Sequence, residues 1–227
     1  RLEEVDCVNA NLLWSIYKVM IIDIFNEQFP YIVIDDYYDE EELRLIWEEL
    51  DFLSYPHKLK RATKSSGGAR DPKTDELLKK NFHRYIDRIY CEREMSNILT
   101  VNRKLFDDYA KILRHHPHWF FQNVEFNKDY TQIGYYEDND GYGEHHDNSL
   151  VTALTWLYKE PKQFTGGDLF LGSEKIKIDC VNNRTLIFPS MINHSVNEIH
   201  MNQKNHGRGQ GRYVITQFCI VDIYKDT

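Results

Sequence analysis

The chain has 227 residues, of which 41% are hydrophobic and 28% charged, a composition that excludes a wholly disordered chain and a membrane-embedded bundle. Lys plus Arg number 28 against 36 Asp plus Glu, so the formal net charge is -8. This balance argues against broad electrostatic binding to phosphate backbones or anionic membranes. We therefore expect one domain-sized core and no nucleic acid or membrane among its partners.

The four cysteines are widely spaced and include no CxxC pair, which predicts reduced thiols rather than a disulfide framework. They are Cys7, Cys91, Cys180 and Cys219. The most apolar stretch, from Leu12 to Phe25, contains Lys18 and Asp23 and is too short to cross a bilayer comfortably. We predict that it forms a core-facing helix. With no recognisable signal peptide or transmembrane segment, cytoplasmic localisation is the expectation.

Patterns in the first half of the chain favour helices. Pro30 to Asp36 is a short β-branched run that predicts a strand, and Asp39 with Glu42 forms a capping-box signature that predicts the start of an amphipathic helix. Two more helices are predicted from apolar residues at helical spacing. These residues are Leu78, Phe82, Tyr85, Ile86 and Ile89 in the first, and Leu105, Tyr109, Ile112 and Leu113 in the second.

Residues 57–75 combine basic side chains with Ser, Gly and Pro and show no apolar period, which predicts a mobile basic loop. The basic residues between Lys58 and Lys64 have two interpretations. They contact an acidic substrate or nucleic acid, or they form a solvated face that balances the acidic helix beside it. The sequence leaves both open.

After about residue 120, short apolar and aromatic runs alternate with Gly, Asn, Asp and Pro, which is typical of an antiparallel sandwich or barrel. The predicted strands are Thr131 to Tyr136, Leu150 to Tyr158, Asp168 to Gly172, Lys175 to Cys180, Thr185 to Phe188 and Tyr213 to Val221. Helices followed by strands indicate an α+β fold, with N-terminal helices packed on one sheet of a jelly roll.

We therefore predict a single domain over residues 1–227. Within it, 1–29 is a helical extension, 30–120 is a mostly helical support, and 121–227 is the β-rich core.

A histidine and an aspartate separated by one residue stand out among the ten histidines. In His145-His146-Asp147, at the mouth of a predicted strand, the outer two side chains share one face because strand residues alternate. His146 would face away. One more imidazole completes a two-His-one-carboxylate triad, which leaves open positions on Fe(II), and His194 is placed to supply it. The alternative is a chance tripeptide in a surface turn.

A second histidine cluster, His115-His116-Pro117-His118, lacks a matching glutamate and distal histidine at suitable spacing. We therefore predict a surface turn there rather than a zinc or cupin-like site.

Taken together, residues 130 to 222 resemble the catalytic core of the Fe(II)- and 2-oxoglutarate-dependent oxygenases, and specifically their prolyl 4-hydroxylase-like branch, whose core is a double-stranded β-helix. The motifs that carry the resemblance are Gly134-Tyr-Tyr136, Gly141-Tyr-Gly-Glu-His-His-Asp-Asn148, Thr152-Ala-Leu-Thr-Trp-Leu157, Gly166-Gly-Asp-Leu169, Asn183-Arg-Thr-Leu-Ile-Phe-Pro189, His194 and Arg212-Tyr-Val-Ile-Thr216. Upstream, Pro30 to Leu43 is similar to the strand and helix that open this branch. Lys64 to Gly68 resembles its flexible substrate loop.

The resemblance implies that His145, Asp147 and His194 are the catalytic iron ligands. It also implies that Arg212 binds the distal carboxylate of 2-oxoglutarate, a role that suits a guanidinium fork of permanent charge. Thr216, on the same strand face as Arg212, would add a hydroxyl contact. Two tyrosines, Tyr135 and Tyr142, either line the pocket near the metal or are simply barrel aromatics.

Three departures from the family pattern affect details. The gap between His194 and Arg212 is long, which predicts an inserted hairpin tip from His200 to Gly209 and makes Arg208 a rival anchor. Trp156 stands where relatives often carry a tyrosine that helps to bind 2-oxoglutarate. Asp168 replaces a glutamate that frequently follows the paired glycines, a change that we interpret as structural.

By resemblance, the protein is an oxidoreductase that couples decarboxylation of 2-oxoglutarate to succinate with hydroxylation of a prolyl residue in a peptide or protein partner. Fe(II) is the expected metal, 2-oxoglutarate the cosubstrate and ascorbate an additional reductant. Two alternatives remain. One is a hydroxylase of the same fold that acts on a free amino acid or other small molecule, and the other is a binding module whose metal site is vestigial.

Overall fold

The computed structural model describes residues 21–54, 58–63 and 69–223, with the backbone only at 108–110. The α-helices are α1 (Glu40–Ser54), α2 (Asn97–Val101), α3 (Lys104–Ile112) and α4 (Trp119–Asn123). Short 3-10 helices cover Ile86–Arg88, Arg93–Met95, Leu113–His115 and Gln203–Asn205.

Strands make up most of the remaining regular structure. In chain order they are β1 (Ile21–Phe25), β2 (Tyr31–Asp35), β3 (Lys60–Arg61), β4 (Lys79–Lys80), β5 (Phe82–Tyr85), β6 (Lys128–Tyr136), β7 (Gly141–His145), β8 (Val151–Leu157), β9 (Phe164–Gly166), β10 (Leu169–Leu171), β11 (Ile176–Ile178), β12 (Arg184–Pro189), β13 (His194–Val196), β14 (Ile199–Met201) and β15 (Arg212–Ile220).

Two antiparallel sheets face each other. The larger has the order β1-β2-β12-β8-β15-β6-β5-β3, the smaller has the order β11-β10-β13-β7-β4, and β14 pairs with β9 separately. One apolar core fills the space between the two sheets, and a second lies between the larger sheet and the helices. This is the predicted α+β double-stranded β-helix with helices on one sheet, so the fold class is confirmed.

The capping box at the start of α1 forms as predicted. The Asp39 amide donates to Glu42 Oε2 at 2.9 Å, and the Glu42 amide donates to Asp39 Oδ1 at 2.8 Å. These two bonds satisfy amides that have no partner within the helix. The helix then packs Ile46, Leu50 and Leu53 into the second core.

The helix predicted over Leu78 to Ile89 is wrong, because this segment forms β4, β5 and a 3-10 turn. The strand β4 pairs with β7 of the smaller sheet, and β5 pairs with β6 of the larger one. Pairing with two sheet edges therefore outweighs the helical spacing of the apolar residues.

The helix predicted over Leu12 to Phe25 is also wrong where the structure describes it. Residues 21–25 are strand β1, paired with β2, and residues 12–20 lie outside the described residues. The predicted helix around Leu105 to Leu113 is confirmed as α3 and the turn after it.

The predicted basic loop at 57–75 falls partly outside the described residues, at 57 and 64–68. In the described part, Lys60 and Arg61 form β3, and the Arg61 guanidinium pairs with the buried Asp140 carboxylate at 2.6 Å. Asp71 accepts hydrogen bonds from two following amides and so closes a local turn.

Six predicted strands of the second half are all present, as β6, β8, β10, β11, β12 and β15. Four short ones, β7, β9, β13 and β14, were not predicted as strands. Of the cysteines, Cys91, Cys180 and Cys219 are free thiols, and Cys7 lies outside the described residues. In the described ranges, no helix has both the length and the apolar character that a membrane span requires.

Asn183, in the turn before β12, forms two hydrogen bonds with the backbone of Tyr38, before α1. Its side chain accepts from the Tyr38 amide at 2.9 Å and donates to the Tyr38 carbonyl at 2.7 Å, and its φ of 60° lies in the left-handed region. We expect Asn183→Ala to lower the free energy of unfolding by about 2–4 kcal/mol, from two buried hydrogen bonds and an unfavourable φ.

Urea denaturation of both Asn183→Ala and Asn183→Gly provides the check. Glycine tolerates the positive φ but removes the same hydrogen bonds, so Asn183→Gly should lose less stability. An alanine variant as stable as the wild-type protein would contradict the assignment.

Candidate active site

Three potential metal ligands meet at the open end of the smaller sheet. His145 ends β7 and His194 begins β13, and the two residues are direct partners in the antiparallel ladder. Asp147 lies two residues beyond β7. The Asp147 oxygens stand 3.7 Å from His145 Nε2 and 3.6 Å from His194 Nε2, and all three ligand atoms lie within 4.8 Å of one another.

Hydrogen bonds around the three side chains aim their ligand atoms inward. His145 Nδ1 lies 2.9 Å from the Gly143 carbonyl, and His194 Nδ1 lies 2.9 Å from the Ile192 carbonyl. A ring that donates from Nδ1 to a carbonyl keeps the lone pair of Nε2 free for a metal. Thr152 donates to Asp147 Oδ2 at 2.8 Å and fixes that carboxylate.

Burial keeps His145 in the form that binds metal. Its side chain is 6% exposed, and desolvation, assisted by the neighbouring His194, lowers its pKa to about 3. The imidazole is therefore neutral at pH 7. The Tyr142 ring stacks on it at 3.6 Å between centroids, and the Tyr142 hydroxyl accepts from the Ala69 amide at 3.1 Å. His146 is exposed and stands outside the ligand group, as predicted.

A cavity of about 580 Å³ extends from these ligands along the paired strands β6 and β15. Inward-facing residues of the two strands stand opposite each other at successive levels. The pairs are Tyr136 with Arg212, Gln132 with Thr216, and Tyr130 with Phe218. The Arg212 level is buried, whereas Tyr130 is 41% exposed, so the cavity opens at the Tyr130 end.

Arg212 is a buried cation without an ionic partner. It is 1% exposed, its Nε and Nη1 atoms have no hydrogen-bond partner, and no carboxylate lies within 4 Å of it in the part of the chain described. The Tyr136 ring lies 4.6 Å from the guanidinium carbon. A buried guanidinium of this kind needs an anion, and a carboxylate matches its two free donors.

Gly167, the second of the paired glycines, leaves space for the Arg212 side chain. Gly167 has a φ of 78°, and a Cβ there would lie 2.8 Å from Arg212 Cδ. Any larger residue would therefore displace the guanidinium from the end of the cavity. The donors that remain free fit the distal carboxylate of 2-oxoglutarate, and the three ligands beside the cavity fit Fe(II).

Only some of the residues that were predicted to line the pocket do so. Tyr142 and Thr216 line the cavity, but Tyr135 does not. Tyr135 lies on the opposite face of β6 and donates from its hydroxyl to Glu137, whereas its neighbour Tyr136 faces the cavity. The rival anchor Arg208 is exposed, on a turn.

The structure also shows the surroundings of the three departures from the family pattern. Residues 199–201 form β14, paired with β9, and 203–205 form a 3-10 turn, so the inserted hairpin tip predicted from His200 to Gly209 is wrong. Trp156 is completely buried behind Arg212, at 5.9 Å between guanidinium carbon and ring centroid. Asp168 accepts from the Cys180 amide and pairs with Lys177, which is a structural arrangement.

The surface turn predicted for His115 to His118 is wrong at its centre. His116 is completely buried, packs on the Phe121 ring and hydrogen-bonds the Phe25 carbonyl through Nε2. In the described ranges, the only group of three or more potential metal ligands is the one formed by His145, Asp147 and His194.

Comparison with known proteins agrees with this geometry. Residues 131–219 match the model of the 2OG-Fe(II) oxygenase superfamily. A Pseudomonas putida prolyl-4-hydroxylase is similar in structure, with a TM-score of 0.58 and 15% identity, over 85% of this chain and 94% of that one. A comparison with curated protein sequences finds no match.

Two further structures share the fold. A viral collagen prolyl hydroxylase from Paramecium bursaria Chlorella virus-1, in complex with 2OG, has a TM-score of 0.52 and 12% identity, over 85% of this chain and 96% of that one. The α-ketoglutarate-dependent epimerase SnoN from nogalamycin biosynthesis has a TM-score of 0.53 and 10% identity, over 84% of this chain and 77% of that one.

The fold, the three ligands and the match of residues 131–219 support an oxidoreductase that is similar to the 2OG-Fe(II) oxygenases, and the site fits Fe(II) and 2-oxoglutarate. Its fold is similar to that of prolyl 4-hydroxylases.

The sequence reasoning missed several residues of the cavity, including three with polar side chains. Tyr136, Lys79 and Gln132 all line the cavity. Alternation along β6 predicts only that Tyr135 and Tyr136 face opposite sides, and the pairing of Tyr136 with Arg212 shows which of the two faces the cavity. Lys79 lies in a segment that was predicted to be helical, so no sequence signal placed it near the metal.

Proposed function

We propose that the protein hydroxylates a prolyl residue in a peptide or protein, with His145, Asp147 and His194 as iron ligands and Arg212 as the anchor of 2-oxoglutarate. The observation that carries this proposal is that one cavity holds both a three-ligand group and a buried guanidinium whose Nε and Nη1 atoms have no hydrogen-bond partner among the described residues. A site built only for structure has no need of a buried cation that faces an anionic cosubstrate.

Each part of the chain has a distinct task. When bound, Fe(II) with 2-oxoglutarate would supply oxidation by O₂, in which one oxygen atom enters succinate as CO₂ leaves and the other becomes the hydroxyl of the substrate. Arg212 holds the distal carboxylate in a cavity end that is closed to water. Thr216, on the same strand face, offers a hydroxyl to the same ligand. Thr152 holds Asp147 in one orientation, in which its carboxylate would bind the metal together with the two imidazoles.

The mouth of the cavity supports a proline-containing substrate. Tyr85, Tyr130 and Phe218 line it, with the Tyr85 and Phe218 ring centroids 6.0 Å apart. Aromatic faces pack well against a pyrrolidine ring, and grooves lined with them are a recurring way to bind proline-rich segments. The exposure of Tyr130 leaves space for a chain that continues on both sides of the reacting residue.

A two-stage experiment tests the proposal. Purified protein is first mixed anaerobically with Fe(II) and 2-oxoglutarate, and the weak visible charge-transfer band of the chelate should appear. Proline-containing peptides are then supplied with oxygen and ascorbate. We expect peptides to gain 16 Da on proline with formation of succinate.

Asp147→Ala is the control for both stages and should show neither result. If the band forms but only a free amino acid or other small molecule is hydroxylated, the small-molecule alternative replaces the peptide proposal. If the wild-type protein with intact metal shows no band, the oxygenase assignment of the site falls.

A further inference from the structure

Lys79 is a second buried cation in the cavity, separate from Arg212. It lies on β4, is 7% exposed, and donates from Nζ to Gln132 Oε1. Its ammonium also stands 5.3 Å from the centre of the Tyr142 ring. Both contacts are to uncharged groups. A lysine is rarely buried unless it is paired, so this position calls for an explanation.

The described residues provide no dedicated counter-charge for Lys79. No carboxylate lies within 4 Å of its Nζ in the described ranges, and the carboxylate that favours its charged form through space is Asp147. Asp147 is itself a proposed iron ligand. Burial lowers the pKa of Lys79 to about 8, and the side chain is still mainly charged at pH 7.

The charges of the loaded site leave Lys79 unbalanced. Fe(II) and Arg212 would bring three positive charges, and 2-oxoglutarate and Asp147 would bring three negative charges. Lys79 remains as one positive charge in a largely buried cavity, where an unpaired ion is costly. A substrate that brings one negative charge would remove this cost.

Neither of the other roles in the site needs Lys79. The Asp147 carboxylate already receives its orienting hydrogen bond from Thr152 at 2.8 Å. The cosubstrate already has Arg212, which stands opposite Tyr136, whereas Lys79 binds Gln132 four residues nearer the mouth. The ammonium therefore lies nearer the mouth than the guanidinium that would anchor the cosubstrate.

We infer that Lys79, supported by Gln132, binds a carboxylate of the substrate next to the position that is oxidised. This rests on the proposed function, in which an organic substrate enters the cavity beside the iron. The carboxylate has two sources, a chain end at the reacting residue or an acidic side chain beside it. In both cases Lys79 is a specificity-determining residue, because a neutral isostere leaves its charge unpaired.

Binding of matched acids and amides tests the inference without turnover. The anaerobic protein with Fe(II) and 2-oxoglutarate is titrated, by calorimetry, with N-acetylproline and N-acetylprolinamide, and with proline peptides that carry Asp or Asn beside the proline. We expect the wild-type protein to bind one acid at least about tenfold more tightly than its amide, as for a charge-assisted hydrogen bond. The pair that shows the preference identifies the source of the carboxylate.

Lys79→Met should reduce this preference to about unity while keeping the charge-transfer band at the same concentration of 2-oxoglutarate. The matched control is Lys80→Met, since Lys80 is the next residue of β4 but points to solvent beside Glu198. It should keep the full preference. Circular dichroism verifies that both variants are folded.

Three outcomes overturn the inference. The wild-type protein binds acids and amides equally well, Lys79→Met keeps the preference, or Lys79→Met instead weakens the binding of 2-oxoglutarate or Fe(II). The proposed function fails differently, when N-acetylleucine and its amide show the Lys79-dependent preference and no proline compound binds.

Discussion

Asp147→Ala is expected to abolish turnover and to weaken Fe(II) binding at least about 100-fold. Asp147 is the carboxylate in the ligand group, and its loss leaves two neutral imidazoles to hold a divalent cation. Even loss of a residue that only supports a metal ligand typically costs 10–100-fold in affinity. Metal content after dialysis and succinate formation are the measurements.

His146→Ala is the matched control for that experiment. His146 lies between two ligands in sequence but is exposed and outside the group, so this variant should bind Fe(II) as the wild-type protein does. Equal loss of iron in His145→Ala, His146→Ala and Asp147→Ala would refute the assignment of ligands. Normal turnover in Asp147→Ala would refute it as well.

Arg212→Met should raise the concentration of 2-oxoglutarate needed for half-maximal turnover about 100-fold or more. The side chain is buried, has two unpartnered donor nitrogens, and would face a carboxylate in the bound state. Losing one partner of such a buried charged pair costs about 2–5 kcal/mol. Methionine fills much of the same volume, so the effect reports charge rather than packing.

The control for Arg212→Met is Arg208→Met, at an exposed position on the turn before β15. That variant should need the same concentration of 2-oxoglutarate as the wild-type protein. Fe(II) content should be unchanged in both variants, because neither arginine is in the ligand group. A large effect at position 208 and none at 212 would move the anchor to Arg208.

The group of three potential metal ligands could be predicted in part because its signal is local. His145 and Asp147 lie two residues apart in an extended segment, and that spacing alone predicts convergence. His194 and Arg212 needed the order of several motifs along the chain as well. Their pairing with β7 and β6 was then a consequence of the fold.

The choice between Tyr135 and Tyr136 could not be settled in the same way. Successive strand residues point to opposite faces of the sheet. An error of one position in the strand register therefore places a core residue in the cavity, and a cavity residue in the core. The pairing of Arg212 with Tyr136 decides the question, and this register is a tertiary property. Tyr135 instead packs near Phe82 and Tyr213 on the helix side of the sheet.

Lys79 was missed for a different reason. Its segment has apolar residues at helical spacing, yet β4 and β5 attach to two different sheets with only Asn81 between them. No local pattern encodes a chain that crosses from one sheet edge to another. The same crossing brings Lys79 beside Gln132, which is 53 residues away in the sequence.

The contacts of Tyr142 connect the segment before β4 to a proposed iron ligand. Its ring lies on His145, a proposed ligand, and its hydroxyl receives the Ala69 amide. A peptide that displaces the backbone at Ala69 would therefore also alter the packing on an iron ligand. Thermodynamic linkage makes that coupling reciprocal, so iron occupancy would change the affinity for the peptide by the same factor as the peptide changes the affinity for iron.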